Sequence, residues 1–228
     1  MDKRWMTMPI LCALLLVGCG QQTKEAEVYQ LNREIIGQEK EEQLSRLSAP
    51  RRGVEVESSA EVEEPLVFMR EANQMVQDIQ VPTGRYQIAD ATQGAGEIRL
   101  YTESGELLFE EIFYGYDQNQ PVLTIEETDT LIYSGFEGLT LTPIESNPLS
   151  FLPSGITEVG LDLEPGTYQL IPEYYGVASL ELHREGEEVR LFELIGNELD
   201  NSVTLSFEVG DLIRLTQTSG LLMERVES

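Results

Sequence analysis

Cysteine, histidine, tryptophan and lysine are all scarce in this chain, and each scarcity removes a class of function. Its 228 residues include two cysteines, Cys12 and Cys19, both close to the N-terminus. Everything beyond Cys19 is therefore without a disulfide, and no Cys/His cluster or EF-hand spacing marks a metal site. The only histidine, His183, has no companion nucleophile or orienting acid in a recognisable motif. It lies one step from the apolar Leu182, so the alternation predicts an outward-facing surface residue. The single tryptophan is Trp5, and the only lysines are Lys3, Lys24 and Lys40. Residues 81–228 carry 27 acidic side chains against 6 arginines, a balance of −21. This acidity argues against nucleic acid as a partner and against electrostatic attraction to anionic lipid. Such a composition fits an ordinary solvated acidic surface. It also fits an alkaline, saline exterior, where lysine loses its proton near pH 10 and arginine keeps it.

The N-terminus has the layout of an export signal. Lys3 and Arg4 precede an apolar run from Met8 to Val17, and Gly18-Cys19-Gly20 closes it with small residues. The run is too short for a membrane span, which needs roughly 20 apolar residues. Leu16-Val17-Gly18-Cys19 resembles the lipobox of bacterial lipoproteins. The resemblance implies a signal peptide over residues 1–18, cleavage between Gly18 and Cys19, and a diacylglycerol on Cys19. Anchoring by two acyl chains is stable where one is marginal, since each buried methylene contributes about 0.8 kcal/mol. The expected location is the outer face of the cell membrane.

Residues 19–78 read as a lipid-anchored stalk, partly helical or disordered. Helical spacing of Val28, Leu31, Ile35, Leu44 and Leu47 predicts a helix within Glu25–Ser48, weakened by Gly37. The stretch from Ala49 to Pro65 reads as linker, and a short helix is expected over Leu66–Asp78.

Beyond the stalk the sequence repeats itself. Residues 79–144 match residues 161–226 at a constant offset of 82. Gly84 and Tyr86 meet Gly166 and Tyr168. Glu126 and Asp129 meet Glu208 and Asp211, and Gly138-Leu139 meets Gly220-Leu221. Within a copy the pattern has period two. Tyr86/Ile88, Ile98/Leu100, Leu107/Phe109, Leu123/Ile125, Leu131/Tyr133 and Leu139/Leu141 share one face, while Arg85, Gln87, Arg99, Glu110, Thr124, Glu126 and Thr140 share the other. That alternation, broken by Gly- and Asn-containing turns, predicts half-buried antiparallel strands. The Pro165-Gly166-Thr167-Tyr168 turn and the Gly210-Asp211-Leu212-Ile213-Arg214-Leu215 strand resemble small all-β modules of secreted proteins and lipoproteins of Gram-positive bacteria. The resemblance implies a jelly-roll-like sandwich and assigns no catalytic residue.

The expected architecture is thus mainly β: two tandem jelly-roll-like β-sandwich modules, at 79–144 and 159–228, joined by a linker at 145–158. Modules of this size without disulfides have marginal cores, so the apolar linker residues Leu149, Phe151 and Leu152 are expected to help pack the copies together. Asp117-Gln118-Asn119 and Asp200-Asn201 fall in equivalent turns and offer oxygens to Ca²⁺. Such residues more often bond their own backbone, so no cofactor is expected besides the lipid. Tyr114, Tyr116, Tyr174 and Tyr175 form two Gly-flanked aromatic clusters that suit a protein surface, a sugar, or packing between the modules. The function these features imply is that of a non-enzymatic surface lipoprotein whose modules bind a protein or envelope partner or act structurally. The alternative is a module that binds carbohydrate or cell-wall polymer.

Overall fold

The computed structural model describes residues 34–51, 64–91, 94–114, 120–144, 151–172, 177–195 and 202–226. It begins with a two-residue strand, β1 (Glu34–Ile35), and a helix, α1 (Gln38–Leu44). The first module contains β2 (Leu66–Met69), β3 (Val76–Ile79), β4 (Gly84–Asp90), β5 (Ala95–Tyr101), β6 (Leu107–Tyr114), β7 (Val122–Ile125), β8 (Thr130–Ser134) and β9 (Gly138–Pro143). The second contains β10 (Phe151–Glu158), β11 (Gly166–Pro172), β12 (Val177–His183), β13 (Arg190–Ile195), β14 (Val203–Phe207) and the long β15 (Leu212–Arg225).

Module 1 is a sandwich of two antiparallel layers, ordered β2-β9-β4-β7 and β3-β8-β5-β6. That interleaving of early and late strands is the order of a jelly roll. Module 2 repeats it with fewer breaks. The first part of β10 and the last part of β15 join β11 and β14 in one layer; the remainder of β10 and β15 joins β12 and β13 in the other. β15 changes layer around Gln217, which has a positive φ of 65°. Each module has its own apolar core, and most inward residues expected from the alternation form it: Tyr86, Ile88, Ile98, Leu100, Phe109, Leu123, Ile125, Leu131, Tyr133, Leu139 and Leu141 are buried, whereas Leu107 is half-buried and Leu108 is buried in the core instead, at a register shift between β5 and β6.

The repeated motifs have a packing reason. The Tyr86 hydroxyl donates to the carbonyl of Pro82 at 2.9 Å, and Tyr168 does the same to Glu164 at 2.9 Å. Each ring folds back over the glycine two residues earlier. A Cβ on Gly84 would lie 2.8 Å from the Tyr86 ring, which explains Gly-x-Tyr. Gly138 and Gly220 are repeated because the first strand of each module crosses there. A Cβ would sit 2.8 Å from the Phe68 carbonyl oxygen in one copy and 2.6 Å from that of Leu152 in the other.

Three expectations need correction. Leu66–Asp78 is not helical: it forms β2 and β3, because Leu66 and Phe68 pack on the module 1 core at strand spacing. Residues 151–158 of the expected linker are strand β10, the module 2 counterpart of β2 and β3. The gapless offset concealed this. By register, Met69 opposite Gly138 takes the place of Pro153 opposite Gly220, and Ile79 opposite Leu131 takes that of Thr157 opposite Ile213. The step is ten residues in one copy (69 to 79) and four in the other (153 to 157), so no constant offset spans it. Lastly, the helix expected over Glu25–Ser48 is, among the described residues, only α1. Ile35 is a buried strand residue instead.

The modules touch where β7 meets β10 in a parallel bridge, Val122 to Gly155. Gly155 has a φ of 117°, and a Cβ there would lie 2.0 Å from the Val122 carbonyl oxygen. Gly105 also has a positive φ, 83°, but faces open space. Gly105→Ala should therefore cost about 1 kcal/mol from backbone strain alone. Gly155→Ala adds overpacking and should cost roughly 3–4 kcal/mol. Urea unfolding midpoints of the two variants check this difference.

Candidate functional site at the junction of the modules

The richest cluster of functional side chains lies where the modules and the N-terminal segment meet. Arg214, on β15, is 1 % exposed and is the centre of it. Its Nη1 donates to the carbonyls of Ser48 at 2.7 Å and Leu108 at 2.9 Å; its Nη2 donates to Glu181 Oε2 at 2.5 Å. One guanidinium thus bridges module 2, module 1 and the N-terminal segment. The planar fork of arginine suits this, since its donors diverge at fixed angles.

Glu181 is shared. His183 Nε2 lies 2.9 Å from the same Oε2 and donates to it. Burial acts to raise the Glu181 pKa. The His183 hydrogen bond and the charge and hydrogen bond of Arg214 outweigh it, so the carboxyl titrates below its ordinary 4.5. His183 is therefore not the exposed residue that alternation suggested. The outer face of β12 is covered by the N-terminal segment, and only 14 % of the imidazole side chain is exposed.

A second bridge runs in the opposite direction. Arg85 of module 1 bonds Thr124 Oγ1 at 3.0 Å, then reaches module 2 at the Ile156 carbonyl (3.2 Å) and at Asp162 Oδ2 (2.8 Å). Arg85 belongs to the face expected to meet solvent, and it is buried because module 2 covers it. Glu111 of module 1 supplies a third bridge. Its carboxylate accepts the Gln217 N–H at 2.9 Å, where β15 changes layer.

Three buried aspartates share one design. Asp129, Asp162 and Asp211 each close a tight turn, accepting the backbone N–H of Glu126, Glu158 and Glu208 at 2.8 Å. Each also takes an arginine: Arg51 on Asp129, Arg85 on Asp162, and Arg184 on both oxygens of Asp211 at 2.8 and 2.7 Å.

The N-terminal segment works as a clasp over this junction. β1 adds to the edge of β13, with Ile35 1 % exposed and Glu34 gripping Arg190 in a two-point pair at 2.9 and 2.8 Å. Lys40 pairs with Glu188 at 2.6 Å. The chain then crosses to module 1, where Ser48 N–H bonds the Leu107 carbonyl at 2.8 Å and Arg51 meets Asp129 and Glu126. Between clasp and module 2 lies a cleft of about 420 Å³, lined by Ala49, Pro50, His183, Arg184, Glu185 and Leu212 among others. It presents an imidazole oriented by a carboxylate, and among the described residues its lining includes no hydroxyl or thiol nucleophile.

Of the residues singled out by sequence, Tyr114 ends β6 with 68 % of its surface exposed, opposite Ala95. It lies on the outer face of β6, apart from the junction cleft. Gly18, Cys19, Tyr116, Tyr174, Tyr175 and the turns at 117–119 and 200–201 lie outside the described residues. Among the described residues no group of three or more His, Cys, Asp or Glu could hold a metal ion. No helix among them is long and apolar enough to cross a membrane. Sequence reasoning missed Arg214, Glu181 and Arg85, yet the duplication carried a signal. Their counterparts are Ile132, Arg99 and Thr167, so these three side chains are ones the copies do not share, whereas Glu111 is matched by Glu193.

The chain matches no protein-family model and no curated protein. Among solved structures, a chain from the atomic structure of Sulfolobus Turreted Icosahedral Virus is similar over 77 % of this chain and 99 % of that one, at 14 % identity. Its TM-score is 0.22, and at that level the likeness carries no argument.

Removing Arg214 leaves Glu181 in the interior without its main countercharge, so Arg214→Met should cost about 3–5 kcal/mol in unfolding free energy. The low folded-state pKa of Glu181 also sets a pH dependence. Its stabilisation is complete above the ordinary carboxyl value of 4.5 and is lost as pH falls through the lower folded-state value. Urea midpoints measured from pH 6 downward should fall less steeply in Glu181→Gln than in the parent.

Proposed function

We propose that this protein is a non-enzymatic surface lipoprotein. A diacylglycerol on Cys19 holds it to the outer face of the cell membrane, and its two β-sandwich modules are displayed to a protein or envelope partner. The observation that carries the reading is the clasp. The segment that follows Cys19 grips module 2 through Glu34 and Arg190, crosses the junction at Ser48, and ends on module 1 through Arg51 and Asp129. An anchor at its start therefore presents both modules together and not as beads on a flexible stalk. The buried charges favour the same reading: those of Arg214, Glu181, Arg85, Asp129 and Asp211 are engaged in holding the body together.

The clasp shortens the stalk. Fifteen residue steps separate Cys19 from Glu34. Fully extended they span at most about 50 Å, taking ~3.3–3.6 Å per residue. The partner in this reading is accordingly close to the membrane, in the inner part of the envelope.

Carbohydrate or wall polymer is the second reading, favoured by the exposed ring of Tyr114 on the outer face of β6. Pulldown with wall polymer and a glycan array, each with Tyr114→Ala/Tyr174→Ala in parallel, distinguishes it from a protein partner. For the anchor, Cys19→Ala should yield a folded protein released from membranes by a salt wash. A variant that stays membrane-bound after that wash refutes lipid anchoring.

A further inference from the structure

The first strand of module 1 ends its layer without a neighbour. β2 pairs with β9 on one side, and among the described residues no strand lies on the other. The bond from Arg70 N–H to the Glu137 carbonyl (2.8 Å) sets the phase of the strand. Because backbone groups alternate along an antiparallel strand, those of Leu66 and Phe68 face β9. The N–H and C=O of Val67 and Met69, with the C=O of Pro65, face outward. The side chains of Val67 and Met69 point away from the core, at 59 % and 57 % exposure. Met75 and Val76, where the chain enters β3 in the facing layer, are exposed as well. Exposed edges are blunted by shortness, proline, lysine, a bulge or an inward charge; Leu66–Met69 is short and follows Pro65, but it carries no lysine, bulge or inward charge.

In module 2 the stretch of β10 that corresponds to β3 is covered by module 1 through the Gly155–Val122 bridge and Arg85. That contact cannot be copied from one molecule to the next at the β3 edge of module 1. By register Gln77, opposite Tyr133, stands where Gly155 stands opposite Leu215, and the bridge tolerates no Cβ.

We propose that the β2 edge is covered by the β2 edge of a second copy of this chain, antiparallel about a two-fold axis through Val67. The strand is self-complementary in that register. Val67 faces Val67, exchanging both backbone bonds. Each Met69 N–H meets the other copy's Pro65 carbonyl, so the missing N–H of proline falls at the end of the ladder. Glu64 faces the other copy's Arg70, twice by symmetry. Centring one residue later, on Phe68, would set Glu64 against Ala72 and Arg70 against Leu66, losing both charge pairs. Closed two-fold pairing of this kind uses one patch on both molecules and ends at a dimer.

The test uses the full chain with Cys12→Ala and Cys19→Ala, so that an introduced thiol is the only one. A hydrogen-bonded antiparallel pair has Cα atoms about 5.5 Å apart, within disulfide range. Val67→Cys should give a covalent dimer under mild oxidation, while Val209→Cys, 74 % exposed on module 2, should not. Sedimentation of the chain bearing neither introduced thiol should show a monomer–dimer equilibrium. Glu64→Arg or Arg70→Glu should weaken it about tenfold, or ~1.4 kcal/mol, and the two together should restore it. Equal cross-linking at both positions, cross-linking of position 67 to a different protein, or indifference to the charge reversals overturns the proposal.

Discussion

The body of this protein depends on a buried guanidinium. Arg214 carries a charge into a place that water does not reach, and the cost of that burial is offset by acceptors at its two terminal nitrogens, while Nε is buried without a partner. Glu181 comes from its own module, the Leu108 carbonyl from the other, and the Ser48 carbonyl from the N-terminal segment. None of the three segments can move away without leaving a buried charge or carbonyl unpaired. Two small cores, each marginal without disulfides, thereby become one cooperative object.

The duplication explains why charge had to do this. A repeated module begins with two equivalent surfaces, and equivalent surfaces do not tell one neighbour from another. Arg85 against Thr167, Arg214 against Ile132 and Val122 against Thr204 are among the places where the copies diverged. The first two build the bridges between the copies, and Val122 gives its backbone to Gly155. The Asp–Arg turns show the opposite behaviour. Asp129 and Asp211 are kept in both copies because each closes its own turn, while the arginine that reaches them comes from a different part of the chain each time.

Arginine fills every one of these roles and lysine none. Holding two or three acceptors with fixed geometry in a dry site requires a planar fork, which a lysine ammonium does not have. The lysine-poor composition therefore has a structural reason at the junction, independent of any alkaline habitat. The surface acids remain mostly solvated, as their number implies.

The sequence by itself determined about six strands in each copy, most of their inward residues and the duplication. All three are local: alternation at period two and turn residues at fixed spacing act within a few residues of the chain; the jelly-roll-like sandwich was what the resemblance to small secreted all-β modules implied. It also marked Gly-x-Tyr as a turn and matched Glu126 and Asp129 to Glu208 and Asp211, although their reason, a hydroxyl or carboxylate folded back on its own turn, became visible only in three dimensions. What the tertiary structure alone decided is everything that depends on non-local pairing. β2, β3 and β10 were hidden because the chain between their layers differs in length in the two copies, which breaks the offset that revealed the rest. Arg85 and His183 lie on faces that alternation assigns to solvent; Arg85 is buried because module 2 lies over it, and His183 is partly covered by the clasp. Alternation tells which side of a strand faces its own core. Only the assembled fold tells what covers the other side.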